Sequence, residues 1–256
     1  MPDVSLPDLS GIVAVVTGAS GQVGHGIALR FAQAGAAVVA HYHRDQASAE
    51  NLVHRLRETG AAALAVSADL SEERECHRLV AAAVDWGGKL DALVNNAGVQ
   101  PVQELAGMSV ADWRAVVDTN LTSAFCCTQA AADAMRASGG TVTHIASIEA
   151  TQPATGHAHY TASKAALVMH ARNAALEYGP HGIRVNAVSP GLIHRPGLEQ
   201  AWPEGVRRWE QAAPLTRLGR AEDIGNACVF LASPMAEWIS GHNLVVDGGV
   251  GAHPTW

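Results

Sequence analysis

Short continuous apolar runs alternate along the chain with longer stretches in which apolar residues recur every three or four positions. The runs are Ile12 to Val16, Ala37 to Ala40, Ala63 to Val66, Leu90 to Val94, Thr141 to Ala146, Ile183 to Val188 and Leu244 to Val246. An apolar run lacking polar alternation marks a strand buried on both faces of a parallel sheet. Between the runs, helices are predicted over Ile27 to Ala34, residues 46–59, about Ser109 to Met135, the Ala-rich stretch from His159 to Tyr178, and Asp223 to Leu231. A further helix opens at Ser71-Glu72-Glu73, where Ser71 is the expected N-cap and the acids sit near the positive dipole end. Gly35 and Gly179-Pro180 are stop signals. Residues 192–215 mix proline, glycine and tryptophan too irregularly for one element, and 192–214 is expected to form a mobile lid over a ligand. On a helix, Trp202 and Trp209 would share a face there.

Strand and helix alternate over 1–256 with no linker, repeat or compositional break. That pattern predicts one doubly wound α/β domain with a parallel sheet of about seven strands and right-handed crossovers. Gly18, Arg44, Asn96, Ser147 and Gly191 each follow a strand, so they line the carboxyl edge where such sheets bind ligands.

The chain has 256 residues, 48% of them hydrophobic and 16% charged, which reads as globular. A net charge of −7 without a basic cluster argues against nucleic acid or an anionic membrane as partner. Cys76, Cys126, Cys127 and Cys228 fall in apolar, helical segments without disulfide or zinc spacing. Met1-Pro2-Asp3-Val4-Ser5 lacks the features of a secretion signal, and no apolar run is long enough to span a bilayer. These features together lead us to expect a cytoplasmic protein.

The sharpest chemistry lies at Tyr160 and Lys164, one helical turn apart on one face in a chain with two lysines and three tyrosines. Lowering a phenol from about 10 to about 7 takes roughly 4 kcal/mol, which one ammonium at about 4.5 Å supplies at an effective dielectric near 20. A depressed Tyr160 is therefore expected. The turn Thr17-Gly18-Ala19-Ser20-Gly21-Gln22-Val23-Gly24 lies between a strand and a helix, where backbone N–H groups meet a pyrophosphate. The second strand ends in His41-Tyr42-His43-Arg44, with Asp45 only afterwards, which favours a 2′-phosphate and hence NADP(H). His157 and His159 form an H-x-H without a third ligand nearby in sequence, so no metal is expected. Asn120 falls in mid-helix, where asparagine is mildly unfavourable and needs a reason.

Together these pieces resemble the short-chain dehydrogenase/reductase family over essentially the whole chain. The likeness rests on Thr17-Gly18, Asp69, Asn95-Asn96-Ala97-Gly98, Asn120, Ser147, Tyr160 with Lys164, Pro190-Gly191 and Asp247-Gly248-Gly249, and on the thirteen residues from Ser147 to Tyr160. It implies Tyr160 as acid/base, Ser147 as stabiliser of the substrate oxygen, Lys164 as the group that lowers the tyrosine pKa and holds the nicotinamide ribose, and Asn120 as holder of a relay water. It places the cofactor against Gly18, Ser20, Gln22, Val23, Gly24, Tyr42, His43, Arg44, Asp69, Leu70, Asn96, Ala97, Gly98, Tyr160, Lys164, Pro190, Gly191 and Ile193. Glu149, His157, Arg195 and Trp202 are the candidates for substrate contact, and a homotetramer or homodimer is implied.

Three departures stand out. Gly18, Gly21 and Gly24 follow the spacing of the longer epimerase and dehydratase branch, with Gln22 at the middle-glycine position of the short reductases. Arg195 stands where many members have threonine, and the H-x-H is the third. The expected activity is NADP(H)-dependent interconversion of a carbonyl and a secondary alcohol, on a 3-oxoacyl thioester, a sugar or polyol, or a similar small carbonyl compound. The alternatives are a pteridine-type reductase, suggested by the strand-two segment, a non-redox isomerase or dehydratase, and a silent nucleotide-binding protein.

Overall fold

The computed structural model describes residues 6–252, so the N-terminal segment weighed as a secretion signal lies outside the described residues. Seven parallel strands form one sheet in the order β3-β2-β1-β4-β5-β6-β7. They are β1 (Val13–Val16), β2 (Ala37–Tyr42), β3 (Ala63–Ser67), β4 (Ala92–Asn95), β5 (Gly140–Ile145), β6 (Ile183–Pro190) and β7 (Asn243–Val246). The apolar runs are continuous because each face of the sheet meets its own core. In β1, Ala14 and Val16 join a cluster with Ile27, Phe31, Leu52 and Ile224, while Val15 joins the opposite one with Leu79, Leu93, Met135 and Val185. At about 25 cal/mol per Å² of apolar surface, each buried valine or leucine contributes roughly 1.5–3 kcal/mol.

Helices α1 (Gln22–Gln33), α2 (Gln46–Glu58), α3 (Glu73–Gly87), α4 (Val110–Val117), α5 (Ser123–Met135), α6 (Ala158–Tyr178), α7 (Leu198–Ala201), α8 (Pro203–Ala212) and α9 (Ala221–Ala232) complete the chain order. The strand order reverses between β1 and β4, which opens the crevice at their carboxyl ends. All four cysteines are buried free thiols.

Two sequence expectations change. Ser71 does not cap α3. Glu72 holds that position without a side-chain bond, while the Ser71 hydroxyl donates to Asp69 Oδ1 at 2.7 Å. The single helix expected from Ser109 to Met135 is two helices joined by a π-helical turn, Asp118–Thr122. Such single turns occur inside α-helices, frequently at functional sites. Residues 192–215, too irregular for one element, hold the two short helices α7 and α8. They pack on a small cluster of Leu198, Val206 and Leu218 with Trp209.

Thr216, just beyond α8, has φ 51° and is exposed. A β-branched residue in the left-handed region is strained by on the order of 1 kcal/mol. Thr216→Gly is therefore expected to stabilise the fold by about 1 kcal/mol, or roughly 2–4 °C in Tm for a chain of this size. A thermal melt with an unchanged or lower midpoint would contradict it.

Candidate active site

The glycine turn is fastened from three sides. Thr17 Oγ1 accepts the backbone N–H groups of Asn96 and Ala97, both at 2.9 Å. Asn96 Nδ2 donates to the carbonyls of Thr17 and Gly18 at 2.8 and 3.1 Å. The third fastening is His41, which sequence reading passed over. Its Nδ1 accepts the Gly18 N–H at 2.9 Å, and its Nε2, 3.0 Å from the Ala68 carbonyl, therefore carries the proton. Burial pushes His41 down to about 4, so the ring stays neutral and keeps that tautomer. β2 is buried without interruption from Val38 to His41, so no alternation marks the histidine beforehand.

Gly18 has φ +63°, and a Cβ there would lie 2.9 Å from the Ala97 backbone. Gly24 sits against the Gly18 carbonyl, with no room for a side chain. The turn thus brings backbone close to whatever lies over it. No side chain caps α1, which leaves its first-turn N–H groups for an anion. Ser20 and Val23 lie half-buried in this turn, and a dinucleotide pyrophosphate fits this donor set. Gln22 reaches across the turn, its Nε2 donating to the His194 carbonyl at 2.7 Å. Ser20 and Gln22 line a cavity of about 790 Å³ with His25, Arg217 and Arg220.

At the ends of β2 and β3, Tyr42 is half-buried, His43 and Arg44 are exposed, and Leu70 is buried. His43 Nε2 lies 3.4 Å from Asp69 Oδ2. Ser71 holds the Asp69 carboxyl below its ordinary range, with smaller help from His43 and Arg44. Arg44 forms no ion pair among the described residues.

Around Tyr160 the structure brings together the four residues expected at the chemical centre. The Tyr160 phenol is flanked by Ser147, whose hydroxyl pulls its pKa down, and its ring lies 5.5 Å from Lys164 Nζ. Lys164, buried, donates to the Ile145 carbonyl at 2.7 Å, and Gly98 leaves open the space beside its Nζ. Asn120 is the buried centre of the π-helical turn. Its Oδ1 accepts the Val99 N–H at 2.7 Å, and its Nδ2 donates to the Val99 carbonyl at 2.9 Å and to Ser163 Oγ at 3.2 Å. The asparagine is thus a clamp between the strand-four loop and α6, with one Oδ1 lone pair left over.

The expectation of a depressed tyrosine fails for the protein by itself. Burial pushes Tyr160 up to about 12, outweighing Ser147, and the Glu149 carboxylate adds to the rise. Burial also brings Lys164 down to about 8. Attraction between the two groups is only part of the balance, because desolvation penalises both charged forms.

Of the substrate candidates, Glu149 and His157 lie beside the centre. Glu149 N donates to Ser147 Oγ at 3.1 Å, and His157 Nδ1 meets Glu149 Oε2 at 3.0 Å. His159 turns elsewhere, its Nδ1 accepting the Tyr160 backbone N–H at 2.9 Å, so the H-x-H does not converge. Arg195 is exposed, with no side-chain partner among the described residues. Trp202 is 46% exposed and ends α7, its ring lying over Gly205, whereas Trp209 on α8 covers Gly191. The two tryptophans therefore do not share a helix face. Pro190 closes β6, the Gly191 N–H donates to the Val246 carbonyl at 3.0 Å, and Ile193 bridges Gly219.

A family described as Enoyl-(Acyl carrier protein) reductase matches residues 18–251. The chain is 37% identical over 251 residues to 3beta-hydroxysteroid dehydrogenase 1 of Eggerthella lenta, covering 96% of each. It is 33% identical over 252 residues to glucose 1-dehydrogenase 2 of Bacillus subtilis, covering 97% of this chain and 98% of the relative. A solved 7 alpha-hydroxysteroid dehydrogenase, complexed with NADH and 7-oxo glycochenodeoxycholic acid, superposes with a TM-score of 0.90 at 37% identity, covering 94% of this chain and 95% of that one. The chain belongs to the short-chain dehydrogenase/reductase family and is an oxidoreductase acting on CH–OH and C=O groups, as these relatives are.

Proposed function

We propose that the protein is an NADP(H)-dependent oxidoreductase that interconverts a carbonyl and a secondary alcohol on a small substrate such as a 3-oxoacyl thioester, a sugar or a polyol. The observation that carries this is the gathering of Ser147, Tyr160 and Lys164 at the crevice beside the uncapped N-terminus of α1. The nicotinamide dinucleotide, when bound, supplies or accepts the hydride. Its pyrophosphate is assigned to the α1 N-terminus, its adenosine end to Asp69 and Leu70, and its ribose to Tyr160 and Lys164.

In the reducing direction Tyr160 donates its proton to the carbonyl oxygen as charge develops there. Ser147 Oγ accepts the Glu149 N–H, and the proton that it turns toward Tyr160 can be given instead to the substrate oxygen. Lys164, held in place by the Ile145 carbonyl, puts its charge beside the phenolate that remains. In oxidation the same groups run in reverse.

The NADP(H) preference rests on Arg44, because His43 is already turned toward Asp69. A charge-assisted bond to a 2′-phosphate is worth about 1.5–3 kcal/mol, or roughly tenfold to a hundredfold in affinity. NADPH is therefore expected to quench protein fluorescence at lower concentration than NADH, and Arg44→Ala to bring the two toward equality. Equal or tighter binding of NADH by the unaltered protein refutes the assignment. A panel of carbonyls and alcohols followed at the nicotinamide absorbance band tests the reaction itself.

A further inference from the structure

Glu149 is an unusual residue to find on the wall of a carbonyl site. It is half-buried, and its side chain is held by donors from separate segments. Gln100 Nε2 donates to Oε1 at 3.0 Å, His157 Nδ1 lies 3.2 and 3.0 Å from the two oxygens, and Thr161 Oγ1 reaches Oε2 at 3.4 Å. An ionised carboxylate has about four acceptor positions, and three donors, from Gln100, His157 and Thr161, take most of them. Glu149 therefore has little left with which to grip a substrate, and acts as a fastening for His157. A carboxylate only accepts, so the imidazole proton sits on Nδ1. In the neutral ring this leaves Nε2 as an acceptor. It takes no hydrogen bond among the described residues and is not among the sealed-in polar atoms. The ring stands edge-on to Tyr160, with centroids 6.1 Å apart and planes at 69°.

A second polar contact is thus fixed one ring away from the phenol that handles the reacting oxygen. With the two rings 6.1 Å apart centre to centre, two oxygens on adjacent carbons can reach one ring each at hydrogen-bond length. We infer that His157 selects substrates that carry a second hydroxyl next to the reacting carbon, with Glu149 as its positioning residue. The class this favours is a polyol, a sugar or an α-hydroxy ketone, since a hydroxyl donates to the free Nε2. A 3-oxoacyl thioester offers only an acceptor oxygen beside its ketone, and an isolated ring ketone offers nothing. The Glu149 charge on the same wall further disfavours a substrate carboxylate at that place.

This inference rests on the oxidoreductase reading, and the experiment separates the two. The kcat/KM for a cyclohexanediol with neighbouring hydroxyls is divided by that for cyclohexanol, with NADP⁺ and then NAD⁺. The unaltered protein is expected to favour the diol by about tenfold, the worth of one well-made hydrogen bond. His157→Phe keeps the ring and is expected to bring the ratio to within about twofold of unity, chiefly through a higher KM for the diol. His157→Gln retains an acceptor and is expected to keep a preference of a few-fold. An equal ratio in the unaltered and phenylalanine proteins overturns the role of His157 and leaves the oxidoreductase reading standing. Turnover of neither alcohol with either cofactor overturns both. If the phenylalanine protein does not fold, Glu149→Met carries the test, since it removes the acceptor that holds the imidazole at little change in side-chain size; an unchanged ratio there overturns the inference.

Discussion

Tyr160→Phe is expected to lower kcat by about a hundredfold to ten-thousandfold while leaving cofactor affinity and folding nearly unchanged. A positioned general acid is worth that much, and its decisive interaction is made in the transition state, so the loss falls on kcat. The phenylalanine ring keeps the edge-on contact with His157 and the place beside Lys164 Nζ. With burial holding Tyr160 up to about 12, the hydroxyl is protonated across the working range and is poised to donate. The reduction should therefore need no base at neutral pH, and the oxidation should speed up as pH rises. Steady-state kinetics in both directions, with fluorescence titration of NADPH, check this. A phenylalanine variant that keeps more than about a tenth of kcat would show that another group is the acid.

Much of this centre was legible in the residues because it rests on local rules. Tyr160 and Lys164 share a helix face by spacing alone, and each strand run ends at a residue placed on the ligand edge. What could not be read needed tertiary knowledge. The π-helical turn at Asn120 exists to bring an amide against Val99 and Ser163, two segments far apart in the chain. His41 reads as one more strand residue until the Gly18 N–H is found on its ring. Helices α7 and α8 were hidden by Trp202 and Pro203, which break one short helix and start the next. The rise of Tyr160 depends on burial, and a spacing argument contains no measure of that. The Gln22 side chain was flagged by its place in the glycine turn, but its reach to His194 is a long-range contact.

Lys164→Met is expected to remove most turnover and yet to make the folded protein more stable at neutral pH. The ammonium is buried with one carbonyl partner, Ile145, and burial brings its pKa from 10.5 to about 8. The folded state thus binds this proton less well than the unfolded chain does. Stability consequently rises with pH between about 8 and 10.5, and the full cost of the buried charge is present below that window. A depression of this size corresponds to about 3 kcal/mol, from which roughly 1–2 kcal/mol is lost when methionine leaves the Ile145 carbonyl without its donor. A net gain of about 1–2 kcal/mol is left at pH 7, or roughly 2–8 °C in Tm. That gain should shrink and reverse toward pH 10, as the unaltered lysine sheds its proton and the variant shows no matching slope. Turnover should fall because the phenolate left by Tyr160 loses the charge beside it. Thermal melts of both proteins at neutral and alkaline pH decide the matter. A stability difference that stays constant across that range would mean that Lys164 is not held at a cost, and that its place beside Tyr160 reflects packing instead of a site built against the stability of the fold.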